Sequence, residues 1–166
     1  MSRKIRPRER GSSIVEMSLV FVLLMFSVLS IFELGRAMWT YHTLATSVKK
    51  AVRVAMVHGA RCAEASETCQ VSLGDLVRVI QQVGVGLDMS LLQLTFTASG
   101  SSSTCAPASN CLANDTKWPA APYNPVGQNV TINGTYAFNN VLTVLWPGQT
   151  VSRFTLSAKS TETIQF

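Results

Sequence analysis

Between Ile14 and Phe32 the chain holds 19 residues that are apolar except for Ser18, Ser27, Ser30 and a single acid, Glu16. A helix needs about 17–25 predominantly apolar residues to cross a bilayer, so this run is of spanning length. An ionisable group inside such a helix costs roughly 2.5–3.5 kcal/mol near its centre and less near its ends. Glu16 therefore asks for a reason. Arg3, Lys4, Arg6, Arg8 and Arg10 precede it in a basic leader that closes at Gly11, and the four uncharged residues Ser12 to Val15 separate Gly11 from the acid. A secretory signal would have an apolar region of about 7–15 residues ending at a small-x-small cleavage site. Here the run is longer and is followed by Glu33-Leu34-Gly35-Arg36. The sequence thus predicts a leader over 1–11 and a retained transmembrane helix over 12–32.

The formal charge of +5 belongs to the leader. Residues 1–11 contain five of the 14 Lys and Arg and one of the nine acids, Glu9, so the rest of the chain is close to neutral at +1. A nucleic-acid partner, which would need cations along a binding face, is not expected. Basic residues clustered before a first span hold that end in the cytoplasm. The expected placement is a single-pass inner-membrane protein with its N-terminus cytoplasmic and its C-terminal domain periplasmic. Arg36, Lys49 and Lys50 lie beyond the span and reduce the asymmetry, with Glu33 beside them.

The helix should continue past the membrane surface. Ala37, Tyr41, Leu44, Val48, Ala51, Val52 and Ala55 recur at the three-to-four spacing of one helical face. No proline interrupts Ser12 to Val57, and Gly59 is a stop signal. A helix over these 46 residues is on the order of 70 Å long at 1.5 Å per residue. Residues 33–59 form an amphipathic extension whose apolar side needs a partner, and that partner is the remaining chain.

Residues 60–166 are read as an exported α+β domain. Ser72 and Asp75 have the spacing of a capping box, and Leu73, Leu76, Val77, Ile80 and Val83 trace a helical face that ends at Gly84 or Gly86. Strict alternation follows at Leu92, Leu94, Phe96 and Ala98, at Val130, Ile132, Tyr136 and Phe138, and at Phe154, Leu156 and Ala158, with Ile164 and Phe166 in the same parity. These segments predict half-buried antiparallel strands. Val141 to Trp146 reads as a short helix or buried loop, and the aperiodic segment within 99–127 reads as a loop. The expected fold is a long N-terminal helix, transmembrane then amphipathic, packed on a small antiparallel sheet with one further helix.

Cys62, Cys69, Cys105 and Cys111 all fall in the exported part and allow three disulfide connectivities. Local pairing, Cys62 with Cys69 and Cys105 with Cys111, suits an oxidising compartment. Zinc is the alternative, although no C-x-x-C pair exists and neither His42 nor His58 has a matching spacing. Asn114-Asp115-Thr116, Asn129-Val130-Thr131 and Asn133-Gly134-Thr135 match the glycosylation triplet and also read as turn and strand residues. Glu64, Glu67, Asp75, Asp88, Asp115 and Glu162 are scattered, and no phosphate loop, H-E-x-x-H or G-x-S-x-G motif occurs. No enzymatic activity, metal or cofactor is expected.

Residues 9–57 resemble the TadE-like family of the tight-adherence (Flp) pilus system. The likeness rests on Gly11, the acid-containing start of the apolar run, the E-x-G-R segment at Glu33, Gly35 and Arg36, and the later Tyr41, Ala51, Arg53 and Ala55. Met17 stands where the processing sites of Flp-type subunits commonly carry an aromatic. The resemblance implies a pilin-like fold and a minor pilin or pseudopilin in pilus assembly. It implies cleavage between Gly11 and Ser12 by a prepilin peptidase, with Glu16 neutralising the new ammonium group of a neighbouring subunit. It also implies an assembly or packing role for Glu33 and Arg36. Expected partners are that peptidase, other pilin-like subunits, inner-membrane pilus assembly proteins and membrane lipid. Plainer readings stand beside these: Glu16 complements the helix N-terminus, worth roughly 0.3–1 kcal/mol, and Glu33 and Arg36 form a surface pair. The alternative function is an unprocessed single-span anchor that presents a periplasmic partner- or ligand-binding domain.

Overall fold

The computed structural model describes residues 10–65, 69–122, 124–141 and 154–165. One helix, α1 (Arg10–Met56), carries the chain from the leader to the domain. It is followed by α2 (Ala60–Ala65) and α3 (Leu73–Val83), and then by β1 (Leu92–Ala98), β2 (Ser101–Cys105), β3 (Asn129–Phe138) and β4 (Phe154–Thr163). The four strands form one antiparallel sheet in the order β2-β1-β3-β4. The fold is α+β, as expected. The leader up to Glu9, Glu67, Phe166 and the segment from Leu142 to Trp146 lie outside the described residues.

The two halves of α1 live in different surroundings. From Ser13 to Leu29 every side chain is exposed, whereas Leu44, Ser47, Val48, Ala51, Val52 and Ala55 are buried against the domain. The outer half lies across β3 and β4, with α3 beside it. The inward residues of β1 and β3 complete the core: Leu92, Leu94, Phe96, Val130 and Ile132 are fully buried. Burying a large apolar side chain contributes about 1.5–3 kcal/mol, so α1 supplies one wall of the domain's core as well as its tether. Tyr41, expected in the buried stripe, is exposed and stacks edge-on against His42; Thr40 turns inward instead, its hydroxyl donating to the Arg36 carbonyl at 2.9 Å. Buried Ser47 has its hydroxyl satisfied by the Leu44 carbonyl.

Gly134 explains how closely helix and sheet approach. It sits in mid-strand, and a Cβ placed there would lie 3.0 Å from Val48 and 3.1 Å from Leu44. The glycine leaves room for the branched side chains of α1 to reach the strand backbone.

Ser72 caps α3 as the spacing predicts. Its hydroxyl accepts the Asp75 backbone N–H at 3.1 Å, and the Asp75 carboxylate accepts the Ser72 backbone N–H at 3.1 Å. Hydrogen bonds from Ser72, reinforced by Arg78, hold the Asp75 carboxyl below its ordinary pKa.

The segment within 99–127 is more ordered than a loop. Ser99 and Gly100 both take positive φ and turn β1 into the edge strand β2, the backbone pattern that two-residue hairpins favour. Serines at 101–103 carry little strand signal, which hid β2 from the sequence. A 3-10 turn at Ala108–Cys111 follows. Residues Asn114 to Trp118 then bond the start of α3: Gly74 N–H donates to Asn114 O, Leu73 N–H to Thr116 O, and Trp118 N–H to Val71 O. A second departure concerns Phe154, placed inward by parity yet 59% exposed. It pairs with Phe138 at the sheet end nearest the apolar span, where Ser30, Glu33, Leu34 and Ala37 leave an open cleft of about 350 Å³ rather than a filled core.

Two outcomes test this packing. Gly134→Val should destabilise the fold by about 1–3 kcal/mol through overpacking, and Val48→Ala in the same chain should recover part of the loss in thermal unfolding. Because the folded-state pKa of Asp75 lies below its unfolded value, its contribution is present above about pH 4 and is lost as pH falls through the lowered pKa. Asp75→Asn should therefore be less stable than wild type at pH 7, with the gap closing in unfolding curves measured below pH 4.

Candidate functional site

Gly11, Ser12 and Glu16 lie in the first two turns of α1. The bond between Gly11 and Ser12 thus lies at the start of the described part of α1. Glu16 stands on the exposed helix between Val15 and Met17, and no described residue offers it a hydrogen bond or a counter-charge. Ser18, Ser27 and Ser30 each return their hydroxyl to a carbonyl one turn back, which removes their cost in an apolar setting. Glu16 has no such outlet.

Glu33 and Arg36 occupy the point where α1 meets the sheet. Glu33 is 8% exposed, and its carboxylate accepts a hydrogen bond from Arg36 Nη2 at 3.1 Å. The same nitrogen donates to the backbone carbonyl of Asn139, just past β3, and the guanidinium lies 4.6 Å from the centre of the Phe138 ring. Arg36 Nε is buried without a hydrogen-bond partner among the described residues. This pair is therefore more than a local i, i+3 contact on the helix surface: it fastens the base of the helix to the far end of β3, 103 residues away. Gly35 does not take part, since nothing approaches within 4 Å of where its Cβ would be. Trp39 and Tyr41 are exposed on the same stretch.

The cysteines lie as two local pairs at disulfide distance, Cys62 with Cys69 (Cα atoms 5.4 Å apart) and Cys105 with Cys111 (5.8 Å). Among the described residues no three His, Cys, Asp or Glu side chains converge as a metal site would require. The glycosylation triplets serve local structure: Asn114 Oδ1 accepts the Thr116 N–H, Asn129 Oδ1 accepts the Thr163 hydroxyl, and Asn133 Oδ1 accepts the Ser157 hydroxyl.

Sequence reasoning singled out Glu33 and Arg36 but not Phe138 and Asn139 as their receivers. Only the inward parity of Phe138 hinted at the contact. Trp118, assigned to a loop, is in fact buried with its ring edge-on to Phe96 at 5.4 Å.

Among the described residues one helix is long and apolar enough to cross a membrane, and it is exposed along that half and joined to a small antiparallel sheet, an arrangement consistent with a single-pass membrane protein with an α+β head. Within that class, residues 11–53 match the family model described as TadE-like protein. The matched stretch takes in Gly11, Ser12, Glu16, Glu33 and Arg36 and stops before the sheet. No curated protein matches the chain, and no solved structure does.

The junction makes a direct prediction. Arg36→Ala would leave the buried Glu33 carboxylate without its donor and should destabilise the domain by about 1–3 kcal/mol. Glu33→Ala combined with Arg36→Ala should cost clearly less than the sum of the single changes in detergent-solubilised unfolding. Strict additivity would show that the two side chains act independently.

Proposed function

We propose that this chain is a pilin-like minor subunit in the assembly of tight-adherence pili, made as an inner-membrane precursor with its N-terminus in the cytoplasm and cleaved after Gly11 by a prepilin peptidase. The observation that carries the reading is Glu16: an acid one turn into an exposed apolar helix, five residues beyond Gly11, without a partner among the described residues. A lone carboxylate in lipid is costly, and its natural complement is a cation brought by another molecule. Cleavage at Gly11 would create that cation, the ammonium group of Ser12, on each neighbouring copy or related subunit. The match of residues 11–53 to the TadE-like family points the same way.

In this reading the apolar half of α1 waits in the bilayer and then moves into a helical assembly, while the sheet domain stays on the periplasmic side. Other pilin-like subunits and the inner-membrane assembly proteins are its partners. Neither role asks for a catalytic group or a cofactor. An uncleaved single-span anchor displaying the same domain is the competing reading, and processing separates the two.

Gly11→Leu should leave the leader attached and abolish assembly, because the peptidase must accommodate a small residue before the scissile bond. Glu16→Ala should still be cleaved but should deplete assembled subunits severalfold, since two charges 4 Å apart attract by roughly 4 kcal/mol at an effective dielectric of 20 before desolvation is subtracted. N-terminal sequencing of wild type and both variants, with a pilus assay alongside, decides the matter. Wild-type protein that still begins before Gly11 in cells with active peptidase would replace the pilin-like mechanism with the static anchor.

A further inference from the structure

Above the Glu33–Arg36 junction a second cleft, of about 330 Å³, opens between α1 and the turn after α3, lined by Arg36, Trp39, Thr40, Asp88, Leu91 and Tyr136 among others. Its height relative to a bilayer follows from helix geometry. The 19 residues from Ile14 to Phe32 span about 28 Å at 1.5 Å per residue, close to the roughly 30 Å hydrocarbon core. Arg36 and Trp39 then lie about 6 and 10 Å further along the helix axis. The polar layer adds about 5–7 Å on each side of the core, so the Arg36 end of the cleft stands at headgroup depth and Trp39 lies just above it.

Its charges have a specific arrangement. Glu33 offsets Arg36 within the junction, whereas Asp88 has no ion-pair partner among the described residues. Asp88 is held in place through Oδ1, which accepts the Ser90 N–H at 2.8 Å and the Ser90 hydroxyl at 2.7 Å. These bonds lower its pKa and keep it ionised. Arg36 directs Nη2 at Glu33 and Asn139, and no described residue engages Nη1. Trp39, 70% exposed, and the ring of Tyr136 flank the space. A surplus negative charge beside aromatic walls suits an ammonium group, and an unengaged guanidinium nitrogen suits a phosphate oxygen. An anionic headgroup without an ammonium would meet Asp88 as a like charge.

We propose that this cleft seats the headgroup of an ethanolamine phospholipid from the surrounding leaflet, with the ammonium on Asp88 against Trp39 and the phosphate on Nη1 of Arg36. The proposal rests on α1 spanning the membrane. It does not require cleavage at Gly11. It gives the domain a fixed seat at the bilayer surface through a lipid recognised by both its charges.

The test uses the full chain, purified in mild detergent and exchanged with vesicles of equimolar phosphatidylethanolamine and phosphatidylglycerol, with retained lipids counted by native mass spectrometry. Wild type should retain phosphatidylethanolamine over phosphatidylglycerol by about threefold or more, and Trp39→Ala should weaken its retention about two- to fivefold. Asp88→Asn keeps an acceptor for Ser90 but removes the charge, and should bring the ratio near one. Equal retention of both lipids by wild type, or an unchanged preference in Asp88→Asn, overturns the proposal. Displacement by an equimolar amount of soluble phosphoethanolamine would assign the cleft to a free metabolite and overturn the lipid source. Release of the chain from membranes by alkaline carbonate would refute the span itself, an outcome distinct from a membrane-bound chain without headgroup preference.

Discussion

The core of the domain depends on the outer half of α1 lying against the sheet. Leu44, Val48, Ala51 and Val52 are part of the same core as Leu94, Phe96 and Ile132, and the approach of Val48 and Leu44 to Gly134 brings the two layers together. A single four-stranded sheet has no second layer of its own, and without this helix its inward face would be exposed to water. The domain and its membrane tether are therefore one folding unit. The segment from Asn114 to Trp118, fastened to the start of α3, and the hydrogen bond from Gln165 N–H to the Met56 carbonyl close the structure around that helix.

A different physical problem is solved at the lower end of the same contact. Where the exposed apolar half of α1 ends, the chain places Glu33 and Arg36, and the helix passes into packed protein surroundings within a few residues. Burying the carboxylate with its guanidinium partner, and spending a second donor contact of that guanidinium on Asn139, ties the transition to the end of β3. Phe138 lies beneath the guanidinium and Phe154 lies opposite it in the strand register. The junction thus combines charge, backbone and aromatic contacts where purely apolar packing gives way to an open cleft.

Much of this was legible because periodicity reports burial directly. The alternation of Leu92 to Ala98 and of Val130 to Phe138, the face of α3 and its cap at Ser72 all follow from spacing, whereas the cysteines allow three connectivities by sequence and are resolved into local pairs by the fold. What escaped depended on contacts between distant residues or on weak local signals. Serines at 101–103 form a strand only because β1 offers an edge, and the use of Gly134, which admits Val48 and Leu44 close to β3, shows only once α1 lies on the sheet. Tyr41 and Phe154 obey the local pattern at places where the covering element has already ended or turned aside. For the site, residue identity marked Glu16, Glu33 and Arg36, but only the folded chain reveals that Arg36 joins Glu33 to the Asn139 carbonyl just past β3, while no described residue bonds Glu16.

α1 runs unbroken from its exposed apolar half into its packed half, so with that apolar half in a bilayer the helix would act as a lever. Membrane helices tilt by about 20° on average, and the outer stretch from Glu33 to Met56 is about 36 Å long at 1.5 Å per residue. A change of that size in tilt would swing the far end of the head sideways by about 12 Å. Neighbouring helices that set the angle of the span would thereby aim the head. Crowding within a membrane would thus be converted into a displacement outside it, with no hinge among the described residues of α1 to absorb the motion.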